Sequence, residues 1–140
     1  MGYNHTCQKG NTFFLEGAFV ANEQKGERII EGLVEWGCDV PGALKRFMGH
    51  DDLYIKLLLT VPDEAAFLNL GVALKQKDPK AAFDAAHEIK GVVANMGLTP
   101  LYDDSVLIVE PLRAGKFINT DENYAKLMAD LAILKKIINN

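Results

Sequence analysis

Proline and glycine decide how this chain can fold. Asp39, Asp78 and Thr99 are each followed within two residues by a proline, at Pro41, Pro79 and Pro100. A proline ring lacks a backbone donor and holds φ near −65°, so it suits the first turn of a helix, where that donor would be unpaired. Gly37, Gly49, Gly97 and Gly115 stand at the far ends of the same stretches, where glycine tolerates the left-handed turn that closes a helix. Between these marks apolar residues recur at three-and-four spacing, and strand-like alternation is nearly absent. The chain reads as all-α.

The pieces follow in order. Arg28 to Trp36 is a short amphipathic segment. Asp39 is a candidate cap for a helix running to Met48, and Asp51 for one carrying Leu53, Leu57 and Leu58, which Pro62 interrupts as a kink or a fresh start. Residues 63–77 resume the pattern through Phe67, Leu70 and Leu74. Asp78 opens a helix ending at Gly97, and Thr99 opens one ending at Gly115 with Arg113 in its last turn. Thr120 starts the last, where Tyr124, Leu127, Leu131, Leu134 and Ile138 form one apolar stripe. Short loops between helices of similar length predict an up-down antiparallel four-helix bundle over residues 29–140. Residues 1–28 read as an N-terminal extension that adds one or more short helical segments.

Composition narrows the function. A chain of 140 residues and 15.4 kDa is one domain's worth of protein. Its 19 acidic and 15 basic residues are interspersed for a net charge of −4, without the concentrated positive face that nucleic acid requires. Phe13 to Ala21 is too short for a membrane span and carries Glu16 and Gly17. Two cysteines without Cys-x-x-Cys spacing predict a reducing, cytoplasmic setting and neither a disulfide framework nor a zinc site. No glycine-rich phosphate loop is visible, so no nucleotide site is expected, and the single serine, Ser105, has no histidine nearby in sequence.

The segment from Pro79 to Met96 departs from the pattern. At 100° per residue, Ala82, Ala85, Ile89, Val92, Val93 and Met96 share one side, and His87 projects opposite them. Lys80, Phe83, Asp84, Lys90, Gly91 and Ala94 surround it on the outer face. A mid-helix glycine costs about 1 kcal/mol relative to alanine, and Phe83 sets a large ring on an expected wet surface, either as part of an apolar docking patch for receivers or folded against a neighbouring helix. Gly91 leaves room for another molecule's backbone. Lys90 can bring a compact positive charge to the same spot. An imidazole in water at neutral pH keeps a substantial fraction with a free nitrogen lone pair. A surface nucleophile, a cation and an open path together suit an incoming phosphoryl group.

The run Ala86-His87-Glu88-Ile89-Lys90-Gly91, closing on Met96-Gly97, resembles the signature of histidine-containing phosphotransfer (HPt) domains. The likeness extends over roughly residues 30 to 138 through the 37–40, 43–49 and 51–54 segments, Leu101, Glu110 and the Arg113-Ala114-Gly115 ending. It implies a phosphorelay protein, not an enzyme, in which His87 is phosphorylated through Nε2 by a receiver's phospho-aspartate and passes the group to another receiver. Lys90 would neutralise charge and Gly91 give clearance. Lys80, Phe83, Asp84 and Ala94 are the expected partner-binding residues. The partners implied are response-regulator receiver domains and a hybrid histidine kinase. The protein itself is expected to be a monomer without a cofactor, the magnesium belonging to the receiver. Pro111, inside the helix after the histidine helix, departs from the pattern and is a candidate bend.

Competing readings are weaker. Asp84 and His87 form a carboxylate-x-x-His pair, but a di-iron bundle needs a second such pair and inward ligands. His5 and His50 read as ordinary surface residues. A non-catalytic adaptor or inhibitor that binds a receiver or kinase is the chief alternative, and it requires neither His87 nor Lys90. A helical enzyme using His87 as general base lacks a partnering acid.

Overall fold

A computed structural model describes the backbone of residues 12–140 and the side chains from residue 23 onward. Seven α-helices follow in chain order among these residues: α1 (Thr12–Trp36), α2 (Val40–Arg46), α3 (Asp51–Leu58), α4 (Ala65–Lys75), α5 (Pro79–Asn95), α6 (Thr99–Arg113) and α7 (Thr120–Ile138). No strand occurs among the described residues. The protein is all-α, as the punctuation predicts.

The helix ends show why. Asp39 accepts from the Gly42 amide at 3.0 Å and Asp78 from the Ala81 amide at 3.1 Å, each beside its proline. Gly37, Gly97 and Gly115 take φ of 98°, 71° and 74°. In each case the next residue's amide reaches back to a carbonyl five residues earlier: Cys38 to Leu33, Leu98 to Val93, and Lys116 to Pro111, all at 3.0 Å. These are Schellman closures, which satisfy carbonyls the helix leaves open.

Several expectations need correction. The expected short segments are, from Thr12 onward, one helix: α1 runs unbroken for 25 residues across positions 28 and 29, and residues 1–11 lie outside the described residues. Gly26 does not interrupt α1; a methyl there would meet Ile55 Cγ1 at 3.8 Å, an ordinary contact. Asp51 and Thr99 are first residues of their helices, not caps, whereas Thr120 starts α7 as expected. The cap positions belong to His50, Leu98 and Asn119, and none makes a side-chain cap bond. The helix expected to reach Met48 ends at Arg46, because Met48 and Gly49 both turn left-handed. Pro62 sits in a 3-10 turn, Val61–Asp63. That turn divides Asp51–Lys75, a stretch apolar enough in composition to cross a membrane, into α3 and α4. Tyr54, Leu58, Phe67 and Leu70 of that stretch are buried in the core.

α5 lies against both α4 and α6, α6 against α7, and α7 against α4 and α1. Ala82, Ala85 and Ala86 are buried on α5, with Ile89 and Val93 continuing the same side. Small residues there let α5 approach its neighbours closely, while Leu127, Leu131 and Leu134 supply the bulk from α7. Tyr124 from the same stripe is half-buried and donates to the Phe67 carbonyl at 2.8 Å.

Candidate functional site

Burial of the alanine side of α5 turns the opposite side outward. His87 is exposed, as are Glu88, Gly91 and Ala94, while Phe83 and Lys90 are half-buried. Val92, expected in the core stripe, is only half-buried; Ala86 takes the interior position instead.

Gly91 differs from Gly32 and Gly71, which also lie inside helices. A Cβ at Gly32 would stand 2.9 Å from Ile137, and one at Gly71 2.6 Å from the Tyr124 hydroxyl, so packing within the chain accounts for both. A Cβ at Gly91 would meet nothing within 4 Å. The protein carries the helix cost of this glycine without any packing reason of its own.

The charges around His87 sort into two kinds. Lys80 and Asp84, both exposed, pair with each other at 2.8 Å; this hydrogen bond and the carboxylate's charge raise the Lys80 ammonium above its ordinary value. Exposed pairs one helical turn apart contribute little to stability, but this one cancels its own charge beside the site. The other ion pairs among the described residues join Glu110 to Arg113 and Lys126 to Asp104 and Asp130. Lys90 has no such partner there, so its charge remains available one turn beyond His87.

Phe83 packs at the edge of the core. Its ring lies 5.4 Å from the His87 ring, tilted by 34°, and 5.3 Å from the Arg113 guanidinium carbon. α6 continues through Pro111 to Arg113, which brings a second cation to this face. Arg113 also reaches Glu110 at 3.4 Å.

The far end of α5 is tied down by residues that sequence reasoning missed. Arg46 donates to the carbonyls of Ala94 and Asn95 at 2.8 and 3.1 Å, nearly fifty residues away in sequence. The buried Tyr54 hydroxyl donates to the Met96 carbonyl at 2.9 Å, and the Asp39 amide to the Gly97 carbonyl at 2.8 Å. Burial pushes the Tyr54 phenol well above its ordinary range. The expected partner residue Ala94 thus sits where α2 and α5 meet, beside an open cleft of about 250 Å³ lined by Arg46, Thr99 and Tyr102. Cys38 is a free, buried thiol, raised to about 11 by burial despite an opposing backbone hydrogen bond at Thr99. His50 is exposed at the cap position of α3 and makes no side-chain cap bond; His5 lies outside the described residues.

A second missed group joins α6 to α7. Asp104 is buried, and Lys126 bridges it at 3.1 Å to Asp130 at 2.8 Å. Nothing in an i, i+4 or motif search marks Asp104, because its partners lie on the next helix.

The outer face of α5 therefore combines an accessible imidazole, an ammonium with no ion-pair partner among the described residues and a gap kept open over the backbone. Such a surface can present a nucleophile to a second macromolecule, with negative charge neutralised at the point of approach. Residues 56–135 match the family model described as Hpt domain, a span that runs from the end of α3 into α7 and leaves the 37–54 segments outside the match. Neither a curated protein nor a solved structure matches the chain. With more than half of its length in the match and His87 within it, the chain belongs to the Hpt domain family, whose members carry phosphoryl groups in two-component signalling and interact with receiver domains and kinases.

Proposed function

We propose that this protein is a phosphorelay intermediate in which His87 takes a phosphoryl group from a receiver's phospho-aspartate and hands it to a second receiver. The observation that carries this reading is the open space over Gly91, one turn from an exposed His87. The Nε2 lone pair of neutral His87 attacks phosphorus as the bond from phosphorus to the aspartyl oxygen breaks. The released electron pair regenerates the receiver's carboxylate, and the imidazole keeps its Nδ1 proton or yields it to water. The reverse sequence transfers the group onward. Lys90 offsets the negative charge that collects in transit. The receiver supplies magnesium and the acidic pocket; this chain supplies a positioned nucleophile. Lys80, Asp84 and Ala94 would border the docking footprint. The reading places the protein in the cytoplasm as a monomer. It also takes α4 to α7, linked by short turns and packed in a closed order, as an up-down antiparallel four-helix bundle.

The test uses receiver domains of the same organism, phosphorylated on aspartate and mixed with the protein in magnesium. Relay function requires a label on this chain that is lost in acid and stable in alkali. The label must vanish in His87→Gln and persist in His50→Gln. Receiver binding without any label would identify an adaptor instead.

A further inference from the structure

Phe83 stands one helical turn before His87, and its exposure is only partial. A residue serving docking alone would gain by standing free of its own chain. Phe83 instead makes three contacts within it: the edge of the core, the His87 ring and the Arg113 guanidinium. The ring separation of 5.4 Å lies within the range of interacting aromatic pairs. The guanidinium at 5.3 Å lies within cation–π reach. Arg113 also reaches Glu110 on the same helix at 3.4 Å, an exposed pair. The contacts form a relay of supports from α6, through the phenyl ring, to the imidazole.

An exposed histidine on a helix has two χ1 wells open to it and two ring orientations about χ2. In-line attack on a docked phosphoryl group needs one of these roughly four arrangements. We propose that Phe83 is a positioning residue for phosphoryl transfer. Held by Arg113 and the core, it confines the His87 imidazole to the arrangement that meets the incoming phosphorus. This rests on the relay reading of His87 and assigns to Phe83 a role other than contact with the receiver. Releasing the imidazole would lower the maximal transfer rate by about four-fold and leave receiver affinity alone.

The experiment measures transfer from a phosphorylated receiver of the same organism over a range of receiver concentrations, for the parent protein, Phe83→Leu, Phe83→Tyr and Arg113→Gln. Leucine keeps apolar volume without the aromatic face; tyrosine restores the face. Expected are a roughly four-fold lower maximal rate in Phe83→Leu at an unchanged half-saturating concentration, recovery in Phe83→Tyr, and a smaller loss in Arg113→Gln. Proton NMR of the His87 ring should show a ring-current displacement in the parent that Phe83→Leu abolishes and Phe83→Tyr retains. A raised half-saturating concentration at full maximal rate would make Phe83 a docking residue and overturn the proposal, as would unaltered kinetics or unshifted imidazole protons. A parent protein that takes no label overturns the relay reading and this role together, whereas a labelled parent with an unaffected Phe83→Leu overturns this role alone.

Discussion

Replacing Asp104 by asparagine should change the way stability depends on pH. Asp104 is 3% exposed; its Oδ1 accepts from Lys126 at 3.1 Å, and its Oδ2 is buried without a donor. Burial, followed by the hydrogen bond with Asp130, raises its carboxyl to about 7, against the opposing pull of Lys126. Lys126 is 63% exposed and stays in water, so it compensates weakly. The folded protein thus keeps a proton on Asp104 that the unfolded chain has released above about pH 5. Where the native state binds more protons, stability falls as pH rises. At 1.36 kcal/mol per pH unit, the interval from pH 5 to 7 corresponds to a loss of about 2–3 kcal/mol. Asp130 acts outside that window. Burial raises its carboxyl, but hydrogen bonds from Asp104 and Lys126 outweigh this and hold it below its ordinary value. Its contribution is therefore present above about pH 4 and disappears in stronger acid. An asparagine amide can offer Asp130 a donor at every pH. Urea unfolding at pH 5, 6, 7 and 8 should find Asp104→Asn close to the parent at pH 5 and about 2 kcal/mol more stable at pH 8, with unchanged m-values. A parent protein with flat stability across this range, or a variant that retains the parent's slope, would refute the shared-proton argument.

Gly91→Ala should stabilise the fold by about 1 kcal/mol, read as a higher thermal midpoint, because a methyl there meets no atom within 4 Å; Gly91→Gln should fold and yet transfer phosphoryl groups more slowly. Gly97→Ala should cost about 2 kcal/mol in urea unfolding: left-handed backbone alone costs 1–2 kcal/mol outside glycine, and the new methyl would press on the Asp39 carbonyl. Tyr54→Phe should cost about 1–2 kcal/mol by the same assay, since it leaves the Met96 carbonyl without its buried donor.

The sequence was most informative where the physics is local. Asp39 and Asp78 cap as expected because each bond spans three residues and the neighbouring proline fixes the entry. The outward face of α5 was legible from periodicity, since the buried alanines leave His87 a single direction. Thr99 misled because a capping side chain is useful only at one position, and it lies one residue past the cap, inside the helix. The contacts of Arg46, Tyr54 and the Asp104 group were out of reach altogether. Their partners lie on other helices, and no spacing within one segment encodes such a meeting.

The fastening of α5 has a consequence for any attempt to trim the protein to its family core. Carbonyls of Ala94, Asn95, Met96 and Gly97 receive donors from Arg46, Tyr54 and Asp39, all upstream of residue 56, where the family match begins. A fragment of 56–135 would strip the histidine-bearing rod of its terminal clasp and let its last turn fray. In this chain the minimal module and the working module differ in size, and the extra residues act as a brace.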